Sequence, residues 1–429
     1  MGRLARAAAV LGLALAALAA TAPGAGASGR ALDPHARFFV PAPDAGAVQQ
    51  ELGLLRAHDL ADAVRLGALL AQGHAVWFTG GTPQQVERQV RETMLEAAFE
   101  RATPVLVAYD IPGRDCGSFS AGGAADLASY EQWIAGFARG IGHGSPIVIL
   151  EPDGLGLLPQ TNCGSTVFTD ADRYAELNDA VDVLGAAGAR VYLDGTHPGW
   201  QNVGDAASRL LAAGVQRAGG FFLNVSAFQY TTNDVFYGTW ISDCIAYATQ
   251  VAPGDFADCP NQYWDGGPAS NWQGAALSPY QVWSDTPLTP LPVDGNDPRL
   301  TSDTAGIDSR WALDLGSVQP TTHFVVDTSR DGQGPWNWAA AGYPSAAVAQ
   351  DFCNPPGRGA GPRPTANTGN PLVDAYLWVK VPGESDGSCT RGASGTVDPL
   401  WGIATPAAGG WFPQQALQLA QLASPALLP

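Results

Sequence analysis

The chain has 429 residues, 46% of them hydrophobic, and its 22 Lys and Arg stand against 40 Asp and Glu for a net charge of −18. That much apolar material supports a sizeable core, while the acidic balance excludes nucleic acid, whose phosphates demand a basic face, and disfavours anionic membranes. A neutral polymer is indifferent to this charge.

Residues 2–27 run GRLARAAAVLGLALAALAATAPGAGA: two arginines, an apolar stretch over 7–20, then the small residues Ala25, Gly26 and Ala27. This is the pattern of a secretory signal peptide cleaved after Ala27. Its apolar core is shorter than the roughly 20 residues of a membrane span. An extracellular protein is therefore expected, and no other segment is long and apolar enough to cross a bilayer. The remainder, 28–429, is long enough for two average domains or for one large α/β barrel.

Seven short apolar runs follow in order: HAVWFT (74–79), PVLVAY (104–109), PIVILE (146–151), RVYLD (190–194), GFFLN (220–224), THFVVD (322–327) and AYLWV (375–379). Apolar runs without alternation are expected of parallel strands covered on both faces. Amphipathic stretches over 82–101, 126–141 and 170–187 read as helices between them. Thr82-Pro83 supplies an N-cap and first-turn proline for the first, and Thr169 or Asp170 caps the third. Strand–helix alternation at this spacing predicts a parallel α/β fold. No glycine-rich phosphate fingerprint follows the first strand, against a dinucleotide fold. The strands instead end in polar or aromatic residues, among them Trp77, Tyr109, Glu151 with Asp153, Asp194, Asn224, Asp327 and Lys380. In a barrel those ends converge on one rim. The expected fold is a distorted parallel β/α barrel of about seven strands, similar to a TIM barrel.

The stretch 234–315 breaks the rhythm. It is rich in Trp, Pro, Asp and Gly, shows no clear strand, and reads as a long functional loop. No linker, internal repeat or second domain is evident, so 28–429 reads as a single domain, with 411–422 as a closing helix. A monomer is expected. Six cysteines in an exported chain point to disulfides, and sequence order with loop position favours Cys116–Cys163, Cys244–Cys259 and Cys353–Cys389. Without a CxxC pair, and with six scattered histidines, a structural zinc site is not expected. Neither is any cofactor.

Two motifs stand out, VAYDIPGRDCG (107–117) and IVILEPDGLG (147–156). With DTSRDGQGP (327–335) and WVKVPGESDG (378–387), they resemble the family 6 glycoside hydrolases, the inverting cellulases. The resemblance runs from about Trp77 to the C-terminus. It implies a distorted seven-stranded barrel acting on cellulose or another β-1,4-glucan.

The residues support the same chemistry. Glycosidic cleavage needs an acid for the leaving oxygen and a base for water, with carboxyls roughly 6.5–9.5 Å apart when the enzyme inverts. Asp153 lies behind Pro152 past a buried strand, an apolar setting that raises a carboxyl pKa, and Asp115 adds like-charge repulsion. Asp153 is therefore the expected general acid and Asp115 its modulator, and the resemblance implies the same roles. Asp386 matches the position usually proposed as the family's base, acting directly or through a water relay. Sugar contacts are expected from Trp77, Tyr109, Asp194, His197, Trp200, Asn224, Arg330, Lys380 and Glu384. Each has a structural alternative: a core aromatic at Trp77, a backbone-bonding turn at Asn224, and an ion pair of Arg330 with Asp327 or Asp331. For His197 the alternative is a helix cap or a satisfied core hydrogen bond.

Three positions depart from the family. Phe352 stands where a Trp is often found, Val203 where chain-end-processing members carry a second Trp, and Ala121 where a serine is common, with Ser120 adjacent. Val203 tips the expectation toward endo cleavage over an exo-acting cellobiohydrolase. Rival classes are a metal-dependent barrel hydrolase, disfavoured by few histidines and no dense carboxylate run, and a serine hydrolase, for which no G-x-S-x-G exists. The non-enzyme rival is a catalytically weak carbohydrate-binding protein, against which Asp115, Asp153 and Asp386 all stand present.

Overall fold

The computed structural model describes residues 32–262 and 305–428; the signal peptide expected at 1–27 and the middle of the 234–315 stretch lie outside the described residues. All seven apolar runs form strands: β1 Val76–Phe78, β2 Val105–Ala108, β3 Ile147–Leu150, β4 Arg190–Asp194, β5 Gly220–Leu223, β6 Phe324–Asp327 and β7 Val373–Leu377. They pair in sequence order, every neighbour parallel. The sheet curls until its edges meet. Ala75 N–H donates to the Trp378 carbonyl at 2.9 Å, and Trp77 Nε1 to the Val379 carbonyl at 2.8 Å.

Successive strand residues face opposite ways, and both ways lead into a core. Val105, Val107, Ile147, Ile149, Tyr192, Phe222, Val325 and Leu377 fill the barrel interior. Leu106, Val148, Leu150, Leu193, Phe221 and Val326 face outward under the helices. This is why the strands read as unbroken apolar runs.

Before the barrel come α1 (Ala45–Arg56) and α2 (Leu60–Leu70). The expected helices follow their strands: α3 (Pro83–Glu100), closed by a Thr82–Gln85 capping box with Pro83 in the first turn; α4 (Leu127–Ile141), capped by Asp126; and α5 (Asp170–Ala186), capped by Thr169 in a box with Asp172. Gly136 lets α4 lie against the start of α3, where a Cβ would stand 2.3 Å from the Pro83 carbonyl oxygen. After α6 (Val203–Ala212) the 234–315 reading needs correction. A helix α7 (Thr231–Ala246) runs through its start, widening into a π turn over Tyr247–Val251, and α8 (Ala305–Leu315) occupies its end. Asn233, Asp234, Tyr237, Trp240, Ile241, Asp243 and Cys244 of α7 are all buried. A helix covered on most sides shows no 3.6-residue stripe, so its periodicity was invisible. A short α9 (Ala346–Ala349) and the closing α10 (Pro413–Gln421) complete the chain, α10 packing with α2 over Leu66, Leu69, Trp378 and Leu419. The three disulfides pair as expected, 116–163, 244–259 and 353–389. Among the described residues no helix is long and apolar enough to cross a membrane.

Candidate active site

The strands end at one mouth, and their following loops are strained there. Asp115, Cys116, Glu151, Asp153, Thr196 and Asn224, all non-glycine, hold left-handed φ angles between 47° and 67°. Such backbone costs on the order of 1–3 kcal/mol per residue and persists only where the surroundings fix it. Two buried acids do much of the fixing. Glu151, fully buried, accepts the N–H groups of Asp110 at 3.0 Å and Ile111 at 3.1 Å, tying the β3 loop to the β2 loop. Burial pushes its pKa up to about 8. Asp194, 4% exposed, accepts from Leu155 at 3.2 Å, Gly156 at 3.1 Å and Thr196 at 2.8 Å, and burial lifts its pKa to about 6.

Between these pins sits Asp153, half-buried. Burial first, then the charges of Asp194, Asp115 and Asp386, push its pKa well above the ordinary carboxylate value. Among the described residues no hydrogen bond offsets that push. Its proton is thus held far more tightly than in a solvated aspartate.

Asp115 lies on a knotted loop. Ser120 N–H donates to its Oδ2 at 2.6 Å. Arg114, beside it, donates to the carbonyls of Ser120 at 2.8 Å, Thr79 at 3.0 Å and Tyr109 while lying 4.5 Å over the Tyr109 ring. Burial still wins over Ser120 and Arg114 and raises the Asp115 pKa.

Asp386 is the opposite case. Arg330 Nη1 contacts both its oxygens, at 2.9 and 2.8 Å, and Lys380 Nζ stands 3.8 Å from Oδ1. Asn354 N–H donates to Oδ2 at 2.9 Å, and the Asp386 N–H returns a bond to Asn354 Oδ1 at 2.8 Å. Asn354 Nδ2 then bonds Ser385 Oγ and the Gly387 carbonyl, both at 2.9 Å. Behind it the buried Arg391, paired with Asp398 at 2.9 Å, grips the Cys353 carbonyl at 2.6 Å. The mouth therefore sets a proton-rich carboxyl without a partner against a carboxylate fixed by cations, the two groups that acid–base chemistry on water requires.

The aromatic candidates flank this pair. Trp77 is half-buried, its N–H spent on Val379, its ring edge-on to Tyr109 at 5.4 Å. Trp200 lies over Gly156, where a Cβ would come within 2.4 Å of the ring, and 5.8 Å from His197. Burial lowers the His197 pKa to about 4, and its Nδ1 accepts the Gly199 N–H at 3.2 Å. Glu384, half-buried with its pKa raised by burial, lines with Trp77, Asp44 and Trp411 a cavity of about 300 Å³ at the β1–β7 seam.

Four of the residues expected to contact sugar have protein partners of their own in the structure. Asp194 spends both oxygens on main-chain N–H groups. Asn224, 1% exposed, donates to the Asp327 carbonyl at 2.9 Å and accepts from Gln229 at 3.0 Å. Arg330, also 1% exposed, is stacked 4.1 Å over Phe228 and pairs with Asp386, neither Asp327 nor Asp331 being its partner. Lys380 is buried, and its Nζ donates to the Ser385 carbonyl at 3.1 Å. Residue type and strand-end position were visible in sequence; what would consume the polar atoms was not. Conversely, Arg114 and Asn354 were missed, although Arg114 is the one cation inside the VAYDIPGRDCG motif and Asn354 adjoins a bridged cysteine. Among the described residues no three His, Cys, Asp or Glu side chains converge as metal ligands.

Residues 34–423 match the sequence profile described as Glycosyl hydrolases family 6. The chain is similar to endoglucanase A of Cellulomonas fimi, 32% identical over 319 residues that make up 74% of this chain and 47% of that protein. It is 30% identical over 341 residues to a probable 1,4-beta-D-glucan cellobiohydrolase C of Aspergillus terreus, covering 75% of this chain and 60% of the other. It thus spans about half to two thirds of the length of the curated relatives it matches. In three dimensions it is similar to the endoglucanase Cel6 from Mycobacterium tuberculosis in complex with methyl-cellobiosyl-4-deoxy-4-thio-β-D-cellobioside. That match has a TM-score of 0.60 and 27% identity over 93% of this chain and 99% of the other.

Proposed function

The chain belongs to the glycosyl hydrolases family 6, and on that premise we propose that it is a secreted β-1,4-glucanase that inverts configuration and cuts within chains. Asp153 is the general acid, Asp115 holds its proton in place by like charge, and Asp386 is the base. The observation that carries this reading is Asp153 itself, a carboxyl at the barrel mouth whose pKa is driven up by burial and by Asp194, Asp115 and Asp386. A protonated acid there meets the leaving oxygen, while a water ordered on the Asp386 side attacks the opposite face of the sugar. Arg330, Lys380 and Asn354 hold Asp386 in place and aim it. Trp77, Tyr109, Trp200, His197 and Glu384 line the path of the glucan, with the indole rings of Trp77 and Trp200 set against sugar faces.

Three disulfides support an oxidising destination and so secretion. Endo cleavage is supported by Val203, which is fully buried at the start of α6 and offers no extra sugar platform. The test is proton NMR of early hydrolysis of a soluble β-1,4-glucan: α-anomers are expected first. Early β-anomers would overturn inversion, and binding without any release of reducing ends would overturn the enzyme.

A further inference from the structure

The loop after β2 and the loops after β6 and β7 stand on different banks of the mouth, with β3, β4 and β5 between them in the sheet order. Phe119, four residues past Asp115, reaches from the first bank to the second. Its ring lies 6.0 Å from that of Phe352, tilted by 56°. It also rests on the backbone of Gly387, next to Asp386: a Cβ there would stand 2.7 Å from the Phe119 ring. Each bank is stapled close to the contact, by Cys116–Cys163 on one side and Cys353–Cys389 on the other. The polar bonds of the Asp115 loop run inward, from Ser120 to Asp115 and from Arg114 to Ser120. Among the described residues, the Phe119 contacts with Phe352 and Gly387 tie this loop to the far bank. Yet Phe352 remains 51% exposed, so the pair is a surface contact that opens without breaking a core.

We propose that Phe119 is a specificity-determining latch, which roofs the cleft when seated on Phe352 and Gly387 and admits the middle of a glucan chain only when released. The assignment rests on the glucanase reading above. A seated ring makes internal entry depend on opening, and so slows mid-chain cuts relative to attack on chains whose ends thread beneath it. The same seating holds the Asp115 loop against the Asp386 loop. Phe119 touches no reacting atom; it acts through the width of the cleft.

The test follows viscosity and reducing ends together on a soluble cellulose derivative, for wild type, Phe119→Ala, Phe119→Leu and Phe119→Tyr. Losing one aromatic pair shifts an equilibrium by about 2- to 10-fold. Phe119→Ala should therefore raise the viscosity lost per reducing end by about that factor. Phe119→Leu, which keeps apolar contact without the ring, should fall between, and Phe119→Tyr should match wild type. A folded, active Phe119→Ala enzyme with the wild-type ratio overturns the latch; should that variant fail to fold, an unchanged ratio in Phe119→Leu does so. No reducing ends from the wild-type enzyme would sink the glucanase reading, and the latch with it.

Discussion

The barrel has two polar ends, and they solve the problem of buried charge in opposite ways. At the floor, where the strands begin, Asp374 is saturated: it accepts from Tyr192 Oη at 2.5 Å, His323 Nδ1 at 2.9 Å and Arg190 Nη1 at 3.4 Å. At the mouth, where the strands finish, Asp153 has neither cation nor donor among the described residues, and three other carboxylates act on it. A fold selected only for stability would treat both ends like the floor, because an uncompensated buried acid destabilises. Tension concentrated at one end is what a site of acid–base chemistry at the strand C-termini requires.

Removing the mouth's unpartnered acid has the largest expected effect. Asp153→Ala should lower activity on glucan by roughly 10²–10⁴-fold while sparing a dinitrophenyl glycoside, whose leaving group needs no proton. Asp386→Ala should lose both substrates by a similar factor, because water must be activated whatever departs, and added azide should restore part of the rate. Near wild-type rates in Asp386→Ala on both substrates would move the base to another group of the rim.

The contrast also predicts opposite stabilities. Asp374→Ala leaves Arg190 and Tyr192 without their acceptor and should cost about 1–3 kcal/mol in denaturant unfolding. Asp153→Asn should stabilise, on the order of 1 kcal/mol near neutral pH. The sign follows from linkage: the folded pKa of Asp153 lies above its unfolded value. Its penalty is therefore absent below about pH 4 and grows as pH rises toward the raised pKa. If Asp153→Asn is less stable than wild type at pH 7, the carboxyl has a partner after all.

A smaller effect separates the proposed acid, Asp153, from its proposed modulator, Asp115. A general acid works only while protonated, so kcat/KM should fall as pH rises through the Asp153 pKa. Asp115 is among the charges that raise it. Asp115→Asn should thus shift the basic limb of the profile to lower pH, in addition to lowering the rate. An unmoved limb in an active variant would leave Asp115 with a purely structural role.

Sequence made the architecture legible because burial on both faces writes itself as unbroken apolar runs, and capping residues such as Thr82 and Thr169 announce helix starts. It failed at α7, where burial around the helix erased the stripe. At the mouth, Asp115, Asp153 and Asp386 lie in motifs that are local in the sequence. Sequence could not show that Asp194 and Asn224 spend their polar atoms on main-chain groups, or that Arg330 reaches 56 residues along the chain to Asp386. Those are facts of three-dimensional pairing, and the same residue types at the same strand ends serve either purpose. The floor was not read as a site, since His323 and Asp374 lie 51 residues apart in the sequence.

The smallest expected effect tests whether the floor is as settled as its bonds imply. The hydrogen bond from His323 to Asp374, more than the burial that opposes it, raises the imidazole pKa. The protonated ring should therefore add stability that is fully present below its unfolded pKa of about 6.5 and lost as pH rises through the folded value. His323 is half-exposed, with a side chain 36% accessible, and solvent screens the pair, so the gain should stay under about 1 kcal/mol. Its partner Asp374 is at the same time held by Tyr192 and Arg190, which limits what one donor adds. His323→Gln keeps a donor without the charge. Its melting temperature should trail wild type slightly at pH 5.5 and converge with it at pH 8.5, with activity unchanged at both. A gap that widens with pH instead would mean that the neutral ring is the stabilising form, and the floor would then carry a strain of its own.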